Sequence, residues 1–220
     1  MYYINKNFIK DRFRNFYPVV IDVETAGFDP FTDAILEIGL ITLKMNINGW
    51  LKKDEILHFN IKPFKGSIIK PSALAFNGID PMNPSRKAIQ EINAIETIFK
   101  IINKKLDLNK CSKAIIVGHN VTFDHSFIMA AAARSFIKNN PFHPFTTFDT
   151  ATLSGLAVGE TVLAKACEAL GLIFDNKKAH SAVYDTIQTA NLFCIIINKW
   201  KELGGWSSPV VKRKKNILNI

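Results

Sequence analysis

The sequence predicts an α/β domain, a mixed sheet flanked by helices, and three observations carry that prediction. Three β-rich segments follow one another across short turns, strand-like and helix-like segments then alternate, and the last third is mainly helical. With 220 residues, 48% of them hydrophobic, the chain can bury one full core, and no composition shift divides it. One domain over 1–220 is expected, with 1–16 a basic arm and 207–220 a basic tail.

Residues 18–23, Pro-Val-Val-Ile-Asp-Val, are rich in β-branched side chains and close at Thr25-Ala26-Gly27, which reads as a buried first strand. Two more strands are expected at 35–43 and 56–61. In the latter, Ile56, His58 and Asn60 alternate with Leu57, Phe59 and Ile61, and Asn46-Ile47-Asn48-Gly49 supplies a turn between the two. Such short connections favour an antiparallel meander. Beyond the loop at Pro81 and Pro84, Ala88, Ile92, Ile95, Phe99 and Ile102 recur at helical spacing. Residues 114–117 form a short apolar strand, Phe127, Ile128, Ala131 and Ala132 mark a helix, and 146–148 form a further strand. A helix over 161–170 ends at Gly171, and a longer one over 182–200 buries Val183, Ile187, Ala190, Cys194 and Ile197.

Composition narrows the function classes. Lys and Arg number 28 against 19 Asp and Glu, and the net charge of +9 attracts polyanions, nucleic acid first among them. The cations gather at Lys6, Lys10, Arg12 and Arg14, interleaved with Phe8, Phe13, Phe16 and Tyr17, and again at Lys212, Arg213, Lys214 and Lys215. The second run reads as a solvated tail. Cys111, Cys167 and Cys194 show no paired spacing for zinc or redox work and read as buried thiols. No leader-like or membrane-spanning run is present, so no membrane role and a cytoplasmic location are expected.

The chemistry-bearing residues are acids. Asp22 and Glu24 stand two apart on the first strand, so the pleat turns both carboxylates to one face. Asp124 opens a helix after an apolar strand, where an acid is commonly a simple cap. His180 and Asp185 are five apart and would diverge by about 140° on one helix, so His180 must precede the helix and fold back towards Asp185. Each feature has an ordinary explanation by itself. Four carboxylates from distant segments with one mobile histidine meet the needs of two-metal phosphodiester hydrolysis, with oxygen ligands suited to Mg²⁺ and a histidine that takes a proton from the attacking water.

These segments resemble the DEDDh family of 3′-to-5′ exonucleases, which have a ribonuclease H-like fold. The resemblance rests on Asp22-Val23-Glu24, on Asn120 and Phe123-Asp124, and on His180 with Asp185, and it extends over 16–206. Within the family, Val20 to Phe28, Leu74-Ala75-Phe76-Asn77-Gly78-Ile79, Phe123-Asp124-His125-Ser126-Phe127 and Asn140-Pro141-Phe142-His143-Pro144-Phe145 look like the members that trim stable RNA precursors and turn over the tRNA 3′ end. The resemblance implies Asp22, Glu24, Asp124 and Asp185 as ligands of two Mg²⁺ ions, with Mn²⁺ as a substitute, and His180 as base or additional ligand. It implies Phe28, Phe76, Phe123 and Phe145 as stacking residues for the last bases, which stacking physics allows on any sequence. It further implies a homodimer acting on structured RNA with short 3′ overhangs, Arg12 and Arg14 guiding RNA into the partner's site. Asp149 is expected to support the site from behind. Ser72 departs from the pattern, because those members carry glutamate there and serine lacks the charge. Two alternatives share these signatures: a proofreading-type DNA exonuclease, and an RNA-binding module without hydrolysis.

Overall fold

The computed structural model describes residues 8–205. In chain order these form α1 (Ile9–Arg12), β1 (Phe16–Thr25), β2 (Ile35–Met45), β3 (Leu51–Lys62), α2 (Pro71–Asn77), β4 (Ile89–Gln90), α3 (Glu91–Asn109), β5 (Lys113–Gly118), α4 (Thr122–Arg134), β6 (Phe142–Asp149), α5 (Thr150–Val158), α6 (Leu163–Ala169) and α7 (Ala182–Glu202). The strands make one six-stranded sheet in the order β4-β3-β2-β1-β5-β6. β1, β2 and β3 pair antiparallel as the short connections require, while β5 joins β1, and β6 joins β5, in parallel. The result is the expected mixed sheet flanked by helices.

β1 is the centre of the core. Tyr17, Val19, Val20 and Ile21 are fully buried, and α7 packs across β1, β2 and β3 while α3 and α4 also pack on β1. Gly39 governs how closely α7 can lie. A Cβ there would fall 2.2 Å from the Thr186 hydroxyl and 2.3 Å from the Ala182 carbonyl oxygen, so no other residue fits between helix and sheet. Asp22 stands directly opposite Gly39 in the β1–β2 register, so its side chain shares the face on which α7 rests. The missing side chain on β2 thus brings the first turn of α7 down onto the acids of β1.

One departure from the sequence reading and one element it did not foresee have physical reasons. α3 begins later than the apolar spacing implies, because Ile89 and Gln90 pair with Ile61 and Lys62 as a short edge strand. α2 was not foreseen; it buries none of its residues, so it leaves no apolar stripe, though Pro71 at its start and Gly78 in the left-handed conformation at its end are helix boundary signals. The described part of the basic arm, residues 8–16, packs on the domain through its interleaved aromatics: Ile9 and Phe13 are buried, and Phe13 meets Phe148 and Phe193. Lys6, Trp206 and the tail 207–220 lie outside the described residues. Cys167 and Cys194 are buried and Cys111 partly so; all three are free thiols that burial pushes up to about 11, 12 and 11 respectively, which makes them inert. Among the described residues no helix is long and apolar enough to cross a membrane.

Candidate active site

The end of β1 is where four elements converge. β1 pairs with β5 up to Val20 and Val117, and beyond that point its β5 side is open. The gap is closed by Asp124 at the start of α4, whose Oδ1 accepts a 2.9 Å hydrogen bond from the Val23 N–H, between Asp22 and Glu24. From the other side the first turn of α7 brings Asp185. His180 precedes α7 with φ +65°, a left-handed conformation uncommon for histidine, and that turn folds its N–H onto Asp185 Oδ2 at 2.8 Å. The fold-back anticipated from the five-residue spacing is therefore present, made through the backbone while the imidazole remains exposed.

Asp22, Glu24, Asp124, His180 and Asp185 all line one cavity of about 570 Å³. Ligand-type atoms of Glu24, His180 and Asp185 lie within 4.8 Å of one another. Burial raises the carboxyl pKa of each acid, Glu24 to about 8 and Asp124 to about 7, with Asp22 and Asp185 also upward. Mutual repulsion adds to burial at Asp22, chiefly from Asp124 and then Asp185, and at Glu24 from Asp185 and Glu37. Asp185 Oδ1 is buried and has no hydrogen-bond partner among the described residues. A buried, unpartnered carboxylate oxygen amid mutually repelling acids fits a divalent cation with oxygen ligands.

These shifts set a pH dependence for the metal-free protein. Acids whose folded pKa is raised add stability at low pH and lose it as pH climbs from their ordinary range near about 4 towards 8. Thermal denaturation in EDTA should therefore show this contribution falling between about pH 5 and pH 8, and added Mg²⁺ or Mn²⁺ should raise the melting temperature more at pH 8 than at pH 5.5. Equal metal stabilisation at both pH values would mean that the cation does not bind these carboxylates.

Aromatics flank the acids. Phe28 is 79% and Phe76 67% exposed although both line the cavity, which is a costly place for rings with only a core role. Phe123 lies edge-on to Phe28 at 6.2 Å and is partly buried, packing also on Phe127. Phe76 stands over the His180 ring at 4.2 Å. Phe145, 79% exposed, is not part of the cavity lining and packs on His143. Ser72 does line the cavity, from the first turn of α2.

Support comes from residues that the sequence partly concealed. Asp149 caps α5 by accepting from the Ala151 N–H, and its Oδ1 also accepts from the N–H of Asn120, a cavity residue held at φ +62°. Asn77, not foreseen as a site residue, lines the cavity and donates its amide to the Thr25 carbonyl, tying α2 to the end of β1. Asp33 is fully buried and pairs with Lys70 at 2.8 Å while accepting from the Asp29 N–H and the Thr32 hydroxyl. It thereby joins the loop that carries Phe28 to the start of the helix that carries Phe76. Gly27 is required beside it, since a Cβ there would lie 1.9 Å from Asp33 Oδ2. Arg12 and Arg14 sit at the opposite end of β1, roughly 25–30 Å along the strand from Glu24 at about 3.3 Å per residue. Arg12 donates to the Ile197 carbonyl of α7 at 3.0 Å, and Arg14 is exposed.

A family model described as an exonuclease matches residues 19–193. Ribonuclease T of Buchnera aphidicola subsp. Schizaphis graminum is 65% identical over 210 residues, 96% of each chain. Ribonuclease T of Klebsiella pneumoniae is 62% identical over 204 residues, 93% of this chain and 95% of its own. Among solved structures, E. coli exonuclease I in complex with a dT13 oligonucleotide superposes with a TM-score of 0.65 at 20% identity, over 86% of this chain and 42% of that one, a likeness of fold. Identity at this level, carried across nearly the full length of each relative, means that the chain belongs to the ribonuclease T family of exonucleases.

Proposed function

We infer that the protein is a 3′-to-5′ exoribonuclease that removes nucleotides from the 3′ ends of stable RNA precursors and tRNA in the cytoplasm by two-metal-ion hydrolysis. The observation that carries this reading is the convergence of Asp22, Glu24, Asp124, Asp185 and His180 on one cavity bordered by solvent-facing phenylalanines. The four carboxylates would hold the divalent ions, Mg²⁺ or Mn²⁺. When bound, such ions activate water and stabilise the leaving oxygen.

The chain's own residues do the rest. His180 takes the proton of the attacking water, and its exposed ring on a non-helical turn can move to meet substrate. Phe28, Phe76 and Phe123 offer ring faces to the last bases, and Phe145 extends that surface beyond the cavity. Stacking of this kind contributes about 1–3 kcal/mol per base without reading sequence. Ser72 places a neutral hydroxyl where a carboxylate would otherwise discriminate between terminal bases. Arg12 and Arg14 stand too far from their own acids to serve them. They suit a homodimer in which each subunit steers RNA phosphates towards the other's cavity.

The test is trimming of matched RNA and DNA, both single-stranded and as duplexes with short 3′ overhangs, in Mg²⁺. A tRNA-like RNA overhang should be shortened faster than its DNA counterpart, with cleavage stopping near the duplex. Faster loss of DNA would move the assignment to a proofreading-type nuclease.

A further inference from the structure

We propose that a groove across His180 from the acid cluster is a binding site for the released product, a nucleoside 5′-monophosphate. The groove has a volume of about 450 Å³ and shares Asn77 and His180 with the larger cavity, so the two are neighbours with the His180 loop between them. That volume lies within the range of small-ligand sites, roughly 300–1,000 Å³.

Its lining is suited to a phosphate. Lys177 and Lys178 both face it, and the Lys177 ammonium has no ion pair among the described residues. Among the described residues Lys178 meets only Asp175, at 3.7 Å and with both groups solvent-exposed, a contact too weak to hold the ammonium. Ser181, the residue before α7, also lines the groove and makes no side-chain cap to the helix, so its hydroxyl remains available at the end of a 21-residue helix where the macrodipole favours anions. Val183, Tyr184 and Ile187 supply an apolar wall for the nucleoside once its base has left the phenylalanines of the larger cavity.

The choice of product over the RNA strand follows from the stereochemistry of in-line displacement, and it rests on His180 being the base. Water deprotonated by His180 reaches phosphorus from the His180 side, and the P–O3′ bond to the retained strand breaks on the opposite side. The retained RNA therefore leads away from His180. The departing nucleotide keeps the water's oxygen on its phosphate, facing His180. Whatever lies across His180 is next to the product phosphate, and Lys177, Lys178 and Ser181 are there.

The test is calorimetric titration of the full-length protein with AMP in EDTA, where no metal can hold the phosphate, alongside adenosine. AMP should bind more tightly than adenosine, and the K177Q/K178Q variant should weaken AMP about three- to tenfold, as expected for two exposed charge contacts. The variant's KM for RNA should stay within about twofold of the parent, since Coulomb contacts to the strand are not involved. Equal AMP binding by parent and variant, or no preference for AMP over adenosine, would overturn the proposal. So would an increased KM for RNA with a shallower salt dependence, which would assign the lysines to the RNA backbone. Failure of the exonuclease reading has a different signature: the unmodified protein would release no nucleotides in Mg²⁺, whatever its affinity for AMP.

Discussion

Asp22→Asn is expected to abolish hydrolysis, by on the order of a thousandfold or more, while the protein keeps its fold and becomes more stable without metal. The size of the loss follows from the several kcal/mol that cation stabilisation supplies to phosphoryl transfer, each 1.4 kcal/mol being about tenfold in rate. The gain in stability has a separate origin. Asp22 is pressed by burial and by Asp124, Asp185 and Glu24, so a neutral amide of the same shape relieves repulsion that the metal-free protein otherwise bears. Each kcal/mol relieved should appear as about 2–4 °C in melting temperature for a domain of this size. RNA affinity in EDTA should survive, because Phe28, Phe76 and the cations are untouched. Kinetic assays, thermal denaturation and RNA binding by anisotropy measure the three effects. Full activity in the variant would remove Asp22 from the metal site, and loss of RNA binding together with hydrolysis would show that the acids also organise the strand.

How much of this was legible in the sequence depended on whether a residue's role is local. β1 and β5 could be read because each is a continuous apolar run buried in the core, whereas the buried side of α7 was only half legible: Ala190 and Cys194 are buried as expected, but Val183, Ile187 and Ile197 are only partly so, and Ala182, Thr186, Thr189, Leu192 and Phe193 are buried instead. His180 could be placed outside α7 by helical geometry alone, and it does precede the helix; its left-handed backbone was not foreseen. The joint approach of Asp22, Glu24, Asp124 and Asp185 came from their order and the resemblance, while the reason for it, Gly39 admitting α7, is a relation between β2 and a helix almost 150 positions later that periodicity does not encode. α2 was invisible because a helix with no buried residue has no stripe, yet it delivers Ser72, Phe76 and Asn77 to the cavity. The Asp33–Lys70 pair was likewise hidden, since a buried acid and its lysine look in sequence like any two surface charges. Arg12 illustrates the converse. It reads as an arm residue from composition, but its guanidinium is hydrogen-bonded to α7 and partly buried.

His180→Ala separates the two roles that the geometry allows this residue. A ring nitrogen within 4.8 Å of ligand atoms on Glu24 and Asp185 is near enough to bind a cation, whereas its exposure and its position on a turn suit a base that arrives with substrate. The substitution removes only the ring. The His180 N–H bond that orients Asp185 Oδ2 is made by the backbone and persists in alanine, so the carboxylate frame should stay in place. If the histidine moves a proton, kcat should fall about 10²–10⁴-fold, while the metal concentration needed for half-maximal stabilisation in thermal denaturation changes little. If it is a ligand, that concentration should rise sharply along with the loss of rate. Phe76→Ala controls for the ring contact, since Phe76 packs on His180 without being a metal donor. Its expected signature is a higher KM for RNA with metal affinity unaltered, so a metal defect in His180→Ala and none in Phe76→Ala would assign His180 to the ligand set. The converse result, a collapsed kcat with metal affinity intact, would leave the four carboxylates to hold the ions and His180 to take the proton.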